Sequence, residues 1–210
     1  MKKIVLVDYG TSNLFSIRNA ILKLGYKNII ISDKYKEVLD ADLIILPGVG
    51  SFKKAMVNLK KKKLDIAIKQ FANFQKPILA ICLGFQLLFS ESEEFGKCQG
   101  LNILKGKVLN LNKKINIIPN IGWFSLDLKI KKKTFVKNLN ILKKKLFYFV
   151  HSYYVLPQNK KIIFTNSTIQ RFKFCSSILY KNIYACQFHP EKSGKHGLDL
   201  IRNFINSHGI

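Results

Sequence analysis

The chain has 210 residues, 48% of them hydrophobic, and carries 36 Lys and Arg against 12 Asp and Glu for a formal net charge of +24. That length and apolar content support a packed core and exclude a disordered chain, and no apolar run is long enough to span a bilayer. The charge raises a basic nucleic-acid-binding protein as one reading, but only Arg18, Arg171 and Arg202 are arginines, and surfaces that fork phosphates or read bases lean on arginine.

The chain opens Met1-Lys2-Lys3-Ile4-Val5-Leu6-Val7-Asp8. Basic residues precede apolar ones, but Asp8 ends the run too early for a signal peptide. Residues 3–8 therefore read as a buried strand, and Asp8-Tyr9-Gly10 as the loop at its end. Ser12 or Asn13 is placed to cap a helix running to about Leu24, with Leu14, Ile17, Ile21 and Leu24 on one face and Gly25 as its stop. Residues 28–31 read as a second strand. Residues 41–46 contain a third, stopping at Pro47-Gly48-Val49-Gly50. Helices follow from about Phe52 and over 64–74, and residues 77–81 form a fourth strand. This alternation predicts a parallel sheet with helices on both faces. Such sheets bind ligands at the carboxyl ends of their strands, so the loops after Asp8, Pro47 and Cys82 share one rim.

The second half changes character. Short strands are expected at 106–111, 147–150, 162–164 and 174–180, as antiparallel structure added to one edge. Lys-rich loops lie near 127–145 and 157–161, and a helix over 197–206 closes the chain. The lysine runs at 60–63, 131–133 and 143–145 read as solvated faces, with attraction of anionic metabolites as their minor functional reading. No linker or repeat interrupts the chain, so one domain over 1–210 is expected. Cys82, Cys98, Cys175 and Cys186 show no CxxC or zinc-type spacing. They predict reduced cytoplasmic thiols, with no metal or cofactor.

The chemistry concentrates at Pro77-Ile78-Leu79-Ala80-Ile81-Cys82-Leu83-Gly84-Phe85-Gln86. An apolar strand ends in Cys82, and a helical pattern starts at once. A cysteine at such a hairpin stands out of the backbone, facing helix N–H groups that favour thiolate. Taken alone it would be a buried core thiol. However, Gln187-Phe188-His189-Pro190-Glu191 ends a later apolar strand with an imidazole and an acid. Cys82, His189 and Glu191 together supply nucleophile, base and orienting carboxylate. A tetrahedral intermediate needs donors; Leu83 N–H is one candidate, and the 47–50 loop offers a second. Gln86 lies one helical turn after Cys82 and points to the same pocket. The string Phe149-Val150-His151-Ser152-Tyr153-Tyr154 ends a strand with polar groups suited to an amino-acid headgroup; His151 reads equally as an ordinary loop histidine.

These strings, with Asp8-Tyr9-Gly10, Asn13, Gly122-Trp123 and Lys192-Ser193-Gly194, resemble the class I (triad) glutamine amidotransferases over the whole chain. More narrowly, they are similar to the glutaminase subunits of imidazole glycerol phosphate synthase, of histidine biosynthesis. The resemblance implies a flavodoxin-like α/β fold with a mostly parallel sheet. It implies hydrolysis of glutamine through a thioester on Cys82, with ammonia passed to a (β/α)8-barrel cyclase that makes imidazole glycerol phosphate and an aminoimidazole carboxamide ribotide. It also implies glutamine contacts from Gly50, Gln86, His151, Ser152 and Tyr153. The Val49 N–H would complete the oxyanion hole after a peptide flip. Asn13, Trp123, Tyr148 and Lys192 would face the cyclase. Read without the resemblance, Asn13 is a helix cap, Trp123 and Tyr148 are core aromatics, and Lys192 is a solvated lysine.

The chain departs from the family pattern in three places. Ala80 replaces a glycine two residues before the cysteine. Ser12 stands where a second glycine is common. Pro119-Asn120-Ile121-Gly122-Trp123-Phe124 lacks the usual histidine and asparagine at 120 and 124. The changes around Trp123 motivate a competing expectation, a paralogue feeding ammonia to another synthase such as one forming amidino sugars.

Overall fold

The structure is a computed structural model, and it describes residues 2–10, 13–129, 142 and 145–210. Ser12, the lysines at 131–133, Lys143 and Lys144 lie outside the described residues. The first half runs β1 (Ile4–Val7), α1 (Leu14–Lys23), β2 (Ile29–Ser32), α2 (Tyr35–Leu39), β3 (Leu43–Leu46), α3 (Phe52–Lys61), α4 (Leu64–Asn73), β4 (Ile78–Ile81) and α5 (Leu83–Leu87). The second half adds β5 (Glu91–Ser92), β6 (Cys98–Gln99), β7 (Gly106–Asn110), β8 (Asn120–Ser125), β9 (Asp127–Leu128), β10 (Leu146–His151) and β11 (Tyr153–Pro157). It ends with β12 (Ile163–Ile169), β13 (Phe172–Tyr180), β14 (Ile183–Cys186) and α6 (Gly194–Ser207).

The main sheet has the order β2-β1-β3-β4-β14-β13-β11-β7-β5-β6. Its first five strands are parallel, in the doubly wound arrangement expected of a flavodoxin-like fold. Strand residues alternate between two cores, one on each face. Val5, Ile44, Ile78 and Ala80 pack with Phe52, Leu59, Ile68 and Phe71 of α3 and α4. Leu6, Ile45, Leu79 and Ile81 pack with Ile17 and Ile21 of α1 and Phe204 of α6. Both faces are covered, so the strands are continuously apolar rather than alternating.

The expected antiparallel extension is present, with β13 next to β14 and β11 and β7 beyond it. One part of that expectation is corrected. The strand read at 147–150 does not join the edge; as β10 it pairs with β8 in a separate two-stranded ribbon. The segments of α2, β8 and β11 escape the sequence reading. Gly122 interrupts β8 and Pro157 ends β11, and both residue types suppress a strand pattern.

The parallel topology positions the site. Cys82 follows β4 and His189 follows β14, and these strands are parallel neighbours with Ile81 opposite Cys186. Both residues therefore emerge at the same carboxyl edge.

Candidate active site

Cys82 has φ 53° and ψ −111°, a conformation sparsely populated by non-glycine residues. Two close approaches hold it. A Cβ on Gly84 would lie 2.0 Å from the Leu46 carbonyl oxygen, so only glycine lets α5 pack on the end of β3. A Cβ on Gly48 would lie 2.7 Å from Leu83 Cβ and 2.9 Å from Gly84 N. The buried Tyr9 hydroxyl donates to the Pro47 carbonyl and ties down the same loop. Ala80 is fully buried in β4 and leaves the elbow intact.

His189 Nδ1 lies 2.8 Å from Glu191 Oε1, with both side chains buried. The other nitrogen, Nε2, is buried without a well-aligned hydrogen bond and is turned to Cys82. Burial pushes the imidazole pKa down, but the hydrogen bonds to Cys82 and Glu191 outweigh it and raise the pKa to about 10. At neutral pH His189 is thus an imidazolium beside sulfur. Ser193 fixes its backbone: the Ser193 hydroxyl donates to the His189 carbonyl at 2.6 Å and accepts from Tyr148 N–H at 3.0 Å.

Cys82, His189, Val49, Gly50, Leu83, Gln86, His151, Ser152 and Tyr153 line one cavity of about 270 Å³. Every residue expected to form the oxyanion hole or hold glutamine is brought together there. A larger hollow of about 680 Å³ lies over β11 and β13, lined by lysines and aromatics, away from Cys82.

The Leu83 N–H, expected as one oxyanion donor, donates to the Gly48 carbonyl at 3.3 Å, so the loop presents an acceptor where the expected chemistry needs a donor. Gln86 Nε2 is committed to the Tyr153 carbonyl at 3.1 Å and Gln187 Oε1 at 3.0 Å, which leaves its Oε1 for a ligand. His151 lines the cavity from the end of a strand rather than from a loop, and both nitrogens of its ring are already engaged. Nδ1 meets the Tyr153 carbonyl at 2.8 Å, and Nε2 meets Asn120 Nδ2 at 3.0 Å. A carbonyl can only accept, so Nδ1 carries the proton and Asn120 donates to Nε2. Burial dominates here and drops the His151 pKa to about 4, so the ring is neutral.

The residues expected at a partner interface are near the same rim. Trp123 is 50% exposed and not a core aromatic; its ring lies 5.7 Å from the half-buried Tyr148. Ile121 and Leu146 are exposed on the ribbon with it. Lys192 and Asn13 are exposed. Asn13 does not cap α1 through its side chain, which instead accepts from the Ser16 hydroxyl.

Comparison with known proteins decides the family. The description "Glutamine amidotransferase class-I" matches residues 5–207. Imidazole glycerol phosphate synthase subunit HisH of Pyrococcus furiosus is 45% identical, over 97% of this chain and 98% of its own length. The chain belongs to the HisH family of class-I glutamine amidotransferases. The Aquifex aeolicus HisH subunit is 42% identical, over 95% of this chain and 94% of its own. A solved structure of PurLQS from Thermotoga maritima shares the fold, with a TM-score of 0.71 at 20% identity over 98% of this chain and 99% of that one.

The places of four residues at this HisH-family site escape sequence reasoning. Glu94 lines the cavity with its carboxyl pKa raised by burial, and one of its oxygens accepts from Phe52 N–H at 2.5 Å. Nothing in the local sequence separates it from Glu93. Asn120 and Phe124 read as departures beside the interface, but both sit on the inner face of β8. Asn120 is buried against His151, and Phe124 packs edge-on against Phe149 at 5.7 Å. Ile121 and Trp123 point the other way and are exposed. Gln187 is fully buried and donates to Cys82 Sγ at 3.6 Å; a glutamine inside an apolar strand end is the signal that marks it.

Proposed function

We propose that Cys82, His189 and Glu191 hydrolyse glutamine, and that the ammonia passes to a cyclase subunit making imidazole glycerol phosphate in histidine biosynthesis. The observation that carries this is the cavity lined by Cys82 and His189, with Glu191 hydrogen-bonded behind the imidazole, in a chain of the HisH family. The Cys82 thiolate attacks the glutamine side-chain carbonyl. The oxyanion is taken by the Leu83 and Val49 N–H groups once the Gly48–Val49 peptide turns over and releases Leu83. His189 gives its proton to the departing nitrogen, and ammonia leaves a glutamyl thioester. Water, deprotonated by the same imidazole, then releases glutamate. Glu191 keeps the imidazole oriented and stabilises its cation.

Glutamine is held by Gln86 Oε1 and by the backbone and side chains of Gly50, Ser152 and Tyr153, with His151 bracing that wall. The Glu94 carboxylate matches the α-ammonium group. No metal or cofactor enters these steps. The exposed face of Ile121, Trp123, Tyr148 and Leu146, with Asn13 and Lys192 at its margin, docks the cyclase. The chain acts as one amidotransferase domain over 1–210, in the cytoplasm. Among the described residues no helix is long and apolar enough to cross a membrane.

The test is to trap the thioester with hydroxylamine. Wild-type protein in its complex should release γ-glutamyl hydroxamate, and Cys82→Ala should release none. Equal hydroxamate from both would remove Cys82 from the reaction.

A further inference from the structure

The steps above leave one buried polar side chain beside the nucleophile without a role. Gln187 is inaccessible to solvent. Its Oε1 accepts from Gln86, and its Nε2 points at the Cys82 sulfur. The orientation of both amides follows from a backbone group. The Tyr153 carbonyl accepts from His151 Nδ1 and from Gln86 Nε2. A carbonyl has no proton to give, so Gln86 must turn its NH2 toward it. That same NH2 reaches Gln187 Oε1, which leaves Gln187 only its NH2 to present to sulfur. The chain Tyr153–Gln86–Gln187–Cys82 therefore has one polarity and ends in a donor.

The other donors near sulfur are few. Leu83 N–H is occupied by the Gly48 carbonyl, and α5 is only five residues long. Cys82 Sγ itself lies 3.8 Å from the Val150 carbonyl, an acceptor that favours the neutral thiol. Among the described residues, the His189 imidazolium and the Gln187 amide oppose it.

We propose that Gln187 is a catalytic residue whose amide, aimed by Gln86, donates to the Cys82 sulfur and holds it as thiolate before substrate arrives. A hydrogen bond to the charged form favours that form, and here it acts in a buried site where water cannot replace it. The thiolate claim stands independently of the glutaminase reading; only its consequence for turnover rests on it.

The test is the pH profile of Cys82 alkylation by iodoacetamide, a reaction in which the thiolate sulfur displaces iodide. Peptide mass spectrometry counts Cys82 separately from the partly exposed Cys98. His189 with Glu191 behind it, the neutral His151 on β10, the buried Cys186 thiol on β14 and Glu94 across the cavity also face this sulfur. They are common to every variant. In Gln187→Met the profile should move to higher pH, with alkylation on its acid limb slower by about tenfold or more, since a hydrogen bond to the charged form is lost. The alkaline plateau should be kept. Gln187→Glu, which places a carboxylate there, should move it further. Gln86→Met leaves Gln187 in place but unaimed, and should shift the profile the same way by less; it decides the matter if Gln187→Met does not fold. An unmoved profile in folded variants, or a uniform drop that includes the plateau, would overturn the proposal and leave Gln187 a packing residue. Glutamine is absent from this assay, so an alkylation shift without any glutaminase activity would fault the proposed function and not this inference.

Discussion

The Leu83 N–H and the Gly48 carbonyl are hydrogen-bonded at 3.3 Å, so the N–H that the proposed mechanism uses as an oxyanion donor is engaged within the chain. Cys82, His189 and Glu191, the proposed triad, are brought together beside it. In the proposed mechanism the Gly48–Val49 peptide must turn over before it can stabilise the intermediate. The expected outcome is a subunit that hydrolyses glutamine very slowly alone. Loss of a single oxyanion donor typically lowers kcat by about 10²–10³-fold, so relief of this contact by a bound partner should raise kcat by at least that order while changing KM little. Steady-state kinetics of the chain with and without the cyclase checks this.

Cys82→Ala should abolish glutamate release and leave association with the cyclase unchanged. Cys82 lies on the cavity wall, whereas the exposed apolar groups Trp123 and Ile121 lie on the ribbon's outer face. Conversely, Trp123→Ala should weaken association by about 2 kcal/mol or more, as buried aromatic anchors do. Its melting temperature should hardly change, because the ring is half exposed. Titration calorimetry with the cyclase, beside thermal melts of the isolated chain, separates the two effects.

Stability should fall on both sides of neutrality for two identifiable reasons. His189 has its folded pKa raised to about 10. Its contribution is fully present below the unfolded value near 6.5 and is lost as pH rises toward 10. His151 has its folded pKa lowered to about 4. The unfolded chain binds the extra proton between about pH 6.5 and 4, so stability drops as pH falls through that window. Thermal melts should show His151→Gln flattening the acid limb and His189→Gln flattening the alkaline limb. Unchanged limbs in both variants would contradict these assignments.

Asn120→Ala should destabilise the chain by about 1–3 kcal/mol, the usual result of leaving a buried acceptor, here His151 Nε2, without its donor. Asn120→His should recover most of that loss if its ring donates in the same place. Denaturant unfolding of the three proteins measures the difference.

Gly84→Ala should be among the most damaging small substitutions. The added Cβ meets the Leu46 carbonyl oxygen at 2.0 Å, backbone against backbone, so α5 must move off β3. Overpacking of this kind typically destabilises by about 1–3 kcal/mol. Because α5 carries Gln86, glutamine hydrolysis should fall more steeply than stability does.

Much of this molecule is legible along the chain. Uninterrupted apolar stretches such as Ile4–Val7 and Leu43–Leu46 announce buried parallel strands, and the abrupt change from Ile81 to Leu83 announces the elbow at Cys82. What escapes is what tertiary contact decides. Pairing of Leu146–His151 with Asn120–Ser125 joins segments whose partner no local pattern specifies, and with it the placement of Trp123 outward and Asn120 inward. The role of Glu94 depends on the burial of one acid out of two adjacent ones. The engagement of both His151 nitrogens depends on a carbonyl two residues on and an amide from another strand. The departures at 120 and 124 fall on the inner side of β8, because β-strand alternation turns both away from the exposed Ile121 and Trp123.

The most direct test of the central claim is glutamate release from glutamine by the chain alone, with the histidine-pathway cyclase from the same organism, and with that cyclase plus its ribotide ligand. The account predicts negligible release alone and strong stimulation when cyclase and ribotide are both present, with ammonia consumed by the cyclase. No stimulation by a cyclase shown to be competent on free ammonia, or full turnover by the isolated chain, would contradict it.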